Sequence, residues 1–429
     1  MTPCTVRWLG VGVLASACTG LLAAASTLNA ASAFADDAVT STPPDYTALV
    51  LGHAFLSTPD QSYITQVVDT YVDPTTPFPG QPVYDVDNAI GVTTPETDYT
   101  SGLTEGVTDL NTAIDQQLAD GNDVVVFGYS MSPSVITQEM VNLDAAGAPD
   151  QSDIKFVLAE DLNNPDGGIF TRFPGFSGVT LPATPSDTPY TTDIYSIEYS
   201  GASDFPQYDS DLLADLNAAD GYIDLHPYLL PDWPAYFSPT ELAGAVQEPT
   251  SSADVATSYY LIPTQDLPLL NDLRGEPGAP SAYADLIQPD LRVLVDLGYN
   301  WTGDADVATE ATSTAPTIDT PVVDAYLDAG ADQGMIAALV DLGVLPQSDL
   351  TALSDLYPYV PDVADLENGA LTATSDTVAT TDAMDSANLL TADLAASSSP
   401  LASDLSAYLP GLATDLADMF QNSLSSLSF

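Results

Sequence analysis

Ser130 stands at the crest of Gly128-Tyr129-Ser130-Met131-Ser132, a residue type and setting suited to nucleophilic attack. Before it, Asp123 to Phe127 is a run rich in β-branched and aromatic residues; after it, Val135, Ile136, Met140 and Leu143 recur at helical spacing, with Pro133 where a first helical turn tolerates it. Strand, sharp turn and helix in this order make a nucleophile elbow, in which strained backbone holds the hydroxyl clear of the sheet and the next amide, that of Met131, helps bind an oxyanion. Taken alone, G-x-S-x-S is also what a helix-capping serine shows, so the flanking elements carry the reading.

A hydroxyl needs a base at neutral pH, and histidine is the usual one. The chain has two, His53 and His226. In the α/β-hydrolase order the nucleophile comes first, then the acid, then the histidine, which selects His226 because His53 precedes Ser130. Asp204 is favoured as the acid, since it sits just past a strand's carboxyl end and ahead of His226. Asp161, which also follows a strand, is the rival, and Asp224 lies too near His226 in sequence to be preferred. Tyr46 to Gly52 reads as an early strand, and the loop after it, His53-Ala54-Phe55, is expected to supply the second oxyanion donor beside Met131. Tyr129, with Leu229, Leu230 and Trp233 from PYLLPDWPAYFSP, is expected to line an apolar acyl pocket beside the base. No cofactor is called for, and with so few histidines no metal centre is expected.

Several elements must position these groups. Tyr63 to Tyr71 reads as a helix, and Leu103, Val107, Leu110, Ile114 and Leu118 mark one face of another that runs into Gly121. Ile154 to Ala159 and Thr192 to Ser200 read as strands. Alternation of this kind predicts a parallel, doubly wound sheet of the α/β class. The stretch LNNPDGGIFTRFPGFSG carries Phe170, Phe173 and Phe176, more apolar than a solvated loop needs; it is expected either to cover the site as a lid or to plug the domain's edge.

Composition narrows the partners. Sixty-one Asp and Glu face only five Lys and Arg, a formal net charge of -56, so phosphate backbones and anionic lipid headgroups are repelled and nucleic-acid binding is excluded as a function class. With 45% hydrophobic residues in 429, a core of ordinary size is feasible. Arg7, an apolar run from Trp8 to Ala25 and Ala33-Phe34-Ala35 have the pattern of a signal peptide over residues 1–35, which predicts a secreted or envelope-associated protein without a stable membrane span after cleavage. Both cysteines, Cys4 and Cys18, lie within that segment, so no disulfide is expected beyond it, and Cys18 as a lipid-acceptor cysteine is the lesser alternative. Residues 302–429 hold no Lys or Arg and shift to Ala, Asp, Thr, Ser and Leu; a few amphipathic helices and a linker over 368–400 are expected there.

Several segments together resemble the PE-PPE domain, a serine-hydrolase module of mycobacterial and related actinobacterial proteins that is similar to cutinases. They are ALVLG near residue 50, VVVFGYSMS, LNNPDGGIFTRFPG, SDFPQYDSDLLADLNA, and YYLIPTQDLPLLNDLR with DLIQPDLRVLVDLGY. The resemblance covers about Tyr46 to Trp301 and implies an α/β-hydrolase-type fold over 36–301 and an esterase or lipase-like activity. It also implies a Ser, Asp, His triad, which maps onto Ser130, Asp204 and His226. G-x-S-x-S is that family's own form of the serine motif. The expected substrate is a small-molecule or lipid ester, and the same serine could also serve acyl transfer to an alcohol.

Overall fold

The computed structural model describes residues 46–73, 86–226, 242–275, 281–301, 303–314 and 320–346. Among these residues the strands are β1 (Tyr46–Val50), β2 (Ala89–Gly91), β3 (Asp123–Tyr129), β4 (Ile154–Ala159), β5 (Thr192–Ile197), β6 (Val246–Gln247) and β7 (Thr257–Ile262). They form one sheet in the order β2-β1-β3-β4-β5-β7-β6, parallel throughout except for the antiparallel edge strand β6. The helices are α1 (Gln61–Val67), α2 (Ser101–Asp120), α3 (Ser132–Ala145), the short α4 (Ile169–Arg172), α5 (Leu212–Asp224), the short α6 (Asn271–Arg274), α7 (Ala282–Asp296) and α8 (Thr320–Asp341).

The apolar run in β3 is buried on both faces, as its composition requires. Val125, Phe127 and Tyr129 pack on one side with Tyr63, Ile64 and Val67 of α1. Val124 and Val126 pack on the other with Leu103, Val107, Leu110 and Ile114 of α2 and Val135, Ile136 and Met140 of α3. Helices thus cover both faces, and each apolar side chain so enclosed stabilises the fold by roughly 1.5–3 kcal/mol. A third cluster joins Leu261 of β7 to Ala214 of α5, Val295 of α7, Tyr299 and Trp301.

One alternative left open by the sequence is decided here, and one expectation changes. The 160–190 stretch is a packed plug rather than a lid: Ile169 and Phe170 are buried with Leu162, and Phe170 meets Tyr99 edge to face at 4.8 Å. Its backbone is fixed by bonds such as Phe170 N to Leu162 O at 2.9 Å and Ile169 N to Ala202 O at 2.9 Å. Only Phe176 among its phenylalanines is largely exposed. The packed region also continues past Trp301. Ala305 joins the second core cluster, and the amides of Ala311 and Thr312 donate to the carbonyls of Arg172 and Gln207. Beyond them α8 lies along α7, where a Cβ on Gly334 would stand 2.1 Å from the Leu286 carbonyl oxygen; glycine permits that approach.

The signal-peptide pattern of residues 1–35, Cys18 and the chain after residue 346 lie outside the described residues. Among the described residues no helix is long and apolar enough to cross a membrane.

Candidate active site

β3 runs directly into the turn that carries Ser130. Its φ of 64° is left-handed, a conformation that costs a side-chain-bearing residue energy and persists only where neighbours enforce it. Enforcement comes from both sides. The Ser130 amide donates to Ala159 O at 3.2 Å, extending the β3–β4 pairing, and Ser132 Oγ accepts from the Tyr129 amide at 2.9 Å. Ser132 is fully buried and ties the corner together where a strict motif has a second glycine. Gly128 is needed for contact: a Cβ there would lie 2.5 Å from Ile136 Cδ1 and 3.1 Å from the Pro133 nitrogen.

His226 follows the end of α5, with its amide donating to Gly221 O at 3.2 Å. Its Nε2 is 2.8 Å from Ser130 Oγ, so the two residues singled out as nucleophile and base meet across 96 positions of chain. The group on Nδ1 is Glu160, through Oε2 at 2.9 Å. With a carboxylate on Nδ1, the ring proton belongs there, and Nε2 is left as the acceptor for the serine hydroxyl. Serine, imidazole and carboxylate are all at most 5% exposed.

Neither aspartate proposed from sequence occupies the place of the acid. Asp204 Oδ2 accepts from the Tyr199 amide at 2.9 Å and Oδ1 from Trp301 Nε1 at 3.2 Å, and burial pushes its carboxyl up to about 8. A group mostly neutral at pH 7 is a poor counter-charge for an imidazolium. Asp161 Oδ2 accepts from Thr184 Oγ1 at 2.6 Å and its Oδ1 from the Asn163 amide at 2.8 Å, so it ties down the following loop. Asp224 accepts from Asn271 Nδ2 at 2.7 Å.

Glu160 was missed because it precedes Asp161 directly, and two adjacent carboxylates at a strand's end look equivalent in sequence. It too is left-handed, with φ 53°, which breaks the strand's alternation. Its carboxylate gathers further donors from the segment after β5: Oε1 accepts from the Ile197 amide at 2.8 Å and Ser203 Oγ at 2.6 Å, and Oε2 from Ser200 Oγ at 2.5 Å. Such donors satisfy the charge in a buried setting and fix its direction. Asp204 acts one layer back, closing the turn that carries Ser200 and Ser203, with Asp204 N on Ser200 O at 2.8 Å. Arg292 pins the same segment, through Nη2 to Glu198 Oε2 and Nε to the Tyr199 hydroxyl, both at 2.9 Å.

On the opposite side of the elbow lies the loop after β1. Phe55 leaves the oxyanion set, because its amide donates to Glu96 O at 3.0 Å and its side chain is 79% exposed. His53 is buried, with Nδ1 donating to Ala54 O at 2.8 Å, and burial holds its pKa down. The amides of Met131, His53 and Ala54 stay as oxyanion candidates. Tyr129 stacks on His226, centroids 5.4 Å apart, and Tyr222 stacks on the same imidazole at 5.3 Å. Leu229, Leu230 and Trp233 lie outside the described residues. No group of three His, Cys, Asp or Glu that could hold a metal is found among the described residues.

A doubly wound parallel sheet, with a strained serine corner and its partner histidine at the strands' carboxyl ends, is an architecture of the α/β-hydrolase type. A family model for the PE-PPE domain matches residues 53–300, more than half of the chain, and the chain belongs to that family. It is 42% identical over 303 residues to PE family protein PE3 of Mycobacterium tuberculosis, covering 66% of this chain and 61% of that one. It is 38% identical over 332 residues to Esterase PE16 of the same organism, covering 72% of this chain and 60% of that one. The chain therefore spans about three fifths of the length of these two relatives. Among solved structures, a cutinase-like protein from Cryptococcus sp. is similar with a TM-score of 0.28 and 15% identity, over 38% of this chain and 81% of that one.

Proposed function

We propose that the chain is a serine hydrolase that cleaves carboxylic esters through an acyl-enzyme on Ser130. The hydrogen-bonded row Ser130–His226–Glu160 carries this reading. Ser130 Oγ attacks the ester carbonyl while His226 Nε2 takes its proton, and Glu160 holds the imidazole and stabilises the cation it becomes. The tetrahedral oxyanion is held by the Met131 amide, at the start of α3, and by an amide of the His53–Ala54 turn. His226 returns the proton to the leaving alcohol. A water then repeats the sequence on the acyl-enzyme and releases the acid. Membership in a family that includes a relative named an esterase supports this chemistry. An alcohol in place of water gives acyl transfer from the same intermediate, and the products formed with added polyols separate the two.

The sequence pattern of residues 1–35 supports export to the cell exterior or envelope as the place of action. Labelling with a fluorophosphonate tests the chemistry. The parent chain is expected to label at Ser130 and to hydrolyse p-nitrophenyl acyl esters, and Ser130→Ala to lose both by at least ~10³-fold. A parent that does not label, or a Ser130→Ala variant that still does, removes the serine mechanism.

A further inference from the structure

The row Ser130–His226–Glu160 fixes the imidazole only along its own plane. Its two nitrogens are held at 2.8 and 2.9 Å, and a ring held at two points still turns about the line between them. That turn carries the Nε2 lone pair and the Nδ1 proton out of line with their partners, and hydrogen bonds weaken steeply as they bend. Two aromatic rings from different elements oppose it. Tyr129, the last residue of β3, stacks on the imidazole with centroids 5.4 Å apart and planes at 21°, and Tyr222 of α5 does so at 5.3 Å and 20°.

Each ring has its own anchor. Tyr129 is buried, packs with Tyr63, Val125 and Phe127, and meets His53 edge to face at 6.2 Å. Tyr222 is half-buried and sits one helical turn before His226. The Leu225 and His226 amides both donate to Gly221 O, at 2.8 and 3.2 Å, so the end of α5 carries His226 round over the tyrosine four positions back. Tyr222 Cβ lies 3.0 Å from the point where a Cβ on Gly201 would stand, which sets the root of the side chain against the segment whose Ser200 and Ser203 hydroxyls hold Glu160. One segment thus braces both the acid and a ring stacked on the base. These rings also meet a charge that exists only during reaction, because the imidazole becomes a cation as it takes the serine proton. The face of a phenol ring carries the negative part of its quadrupole and attracts a cation more strongly than a neutral ring. An interaction that strengthens on the way to the transition state lowers the barrier without tightening substrate binding.

We propose that Tyr222, together with Tyr129, is a positioning residue of the catalytic base: the two rings keep the imidazole plane in line with Ser130 and Glu160 and favour the cation formed during attack. The proposal rests on the ester-cleaving reading of Ser130 and adds to it a residue outside the hydrogen-bonded row. Because the effect falls on the charged state, removing the Tyr222 face lowers kcat and leaves KM nearly unchanged. A ring that merely filled space would be replaced without loss by any side chain of the same shape. Tyr222 is the residue to test, since Tyr129 also belongs to the core beneath the elbow.

Two measurements on the full chain test this, with p-nitrophenyl butyrate as substrate. In the first, Tyr222→Leu is set beside Tyr222→Phe. The leucine variant is expected to lose about 10-fold in kcat with KM within about twofold of the parent, and the phenylalanine variant to recover most of that loss. A leucine variant with the parent's kcat, or an equal loss in both variants, overturns the proposal. The second measurement holds shape constant: Tyr222 is replaced by phenylalanine and by its mono-, di- and trifluorinated forms, in which each fluorine draws electron density from the ring face. Across that series kcat is expected to fall stepwise by about 3–10-fold while KM and the melting temperature stay level. A flat series overturns the proposal, and does so even where Tyr222→Leu fails to fold. Fluorophosphonate labelling keeps the two readings apart. A parent that does not label removes the reaction and the proposal with it, whereas a flat series in a parent that labels removes the proposal alone.

Discussion

At the residue scale, the identity of the acid is the sharpest question, because Glu160, Asp161 and Asp204 all follow strands of the sheet and only Glu160 is hydrogen-bonded to the imidazole. Glu160 carries four hydrogen bonds that aim it, whereas Asp204 holds Tyr199 and Trp301 in the layer behind. Replacing Glu160 with glutamine leaves the shape but removes the charge that keeps the proton on Nδ1, so kcat/KM is expected to fall ~10³–10⁴-fold with little change in fold. Asp204→Asn substitutes a neutral group for one already mostly neutral at pH 7. Its kcat/KM is expected to fall less than about tenfold, with the main loss in stability, because the amide nitrogen offers no acceptor to one of its two donors. Steady-state kinetics and thermal melts on the two variants decide the matter; the reverse order of effects on turnover would make Asp204 the functional acid.

At the element scale, the catalytic groups come from the carboxyl ends of neighbouring parallel strands, where each chain must leave the sheet sharply. Ser130 after β3, Glu160 after β4 and Tyr199 after β5 all have positive φ, at 64°, 53° and 68°. Strain is thus concentrated along one edge of the sheet, held by pairing and packing elsewhere. His226 reaches that edge just past the end of α5, whose seat depends on close backbone approaches: a Cβ on Gly221 would meet the Tyr199 carbonyl oxygen at 2.0 Å, and one on Gly201 would meet the Ala218 carbonyl oxygen at 2.2 Å. The Tyr199 carbonyl cannot move without shifting the segment that feeds Glu160, and the Ala218 carbonyl cannot move without shifting α5 itself. Gly221→Ala is therefore expected to destabilise the protein by about 1–3 kcal/mol and to lower kcat more than a stability loss alone would explain, since the imidazole moves off Ser130. Urea denaturation set beside single-turnover acylation measures both. A variant that is less stable but acylates at the parent rate would show that the helix seat does not govern the histidine.

At the scale of the whole molecule, charge dominates. Three of the five basic residues are arginines held inside by carboxylates: Arg172 on Asp166, Arg274 on Asp266 and Asp285, and Arg292 on Glu198. They pair with buried or partly buried acids and do little to offset the acidic exterior. Several buried carboxyls are raised by desolvation: Asp161 to about 6, Glu96, Glu198 and Asp296 to about 7, and Asp204 to about 8. For each, the folded-state value lies above the unfolded one, so its contribution is fully present below the ordinary carboxylate range and is lost as pH rises through the folded values. The melting temperature is accordingly expected to be at least about 5 °C higher at pH 5.5 than at pH 8 at fixed ionic strength. Screening should act in the same direction, so NaCl raised from low concentration to about 1 M is expected to raise the melting temperature at neutral pH. Scanning calorimetry checks both; a melting point that is flat in salt would mean the surface carboxylates do not repel one another appreciably.

Local pattern determined much of this protein. The β-branched run before Ser130, the helical spacing after it, the alternation of strands and helices and the choice of His226 over His53 all follow from side-chain periodicity and chain order, and the sheet and the 2.8 Å contact of Ser130 with His226 agree with them. The acid was beyond that reach. Glu160 and Asp161 are neighbours at one strand end, and Asp204 satisfies the same order along the chain, so nothing local distinguishes them. What selects Glu160 is a left-handed turn together with donors from 37 to 43 positions downstream, Ile197, Ser200 and Ser203. The choice between lid and plug at residues 160–190 and the continuation of the packed domain past Trp301 were beyond local pattern for the same reason: which apolar side chain covers which surface is settled only when distant segments compete for one buried volume.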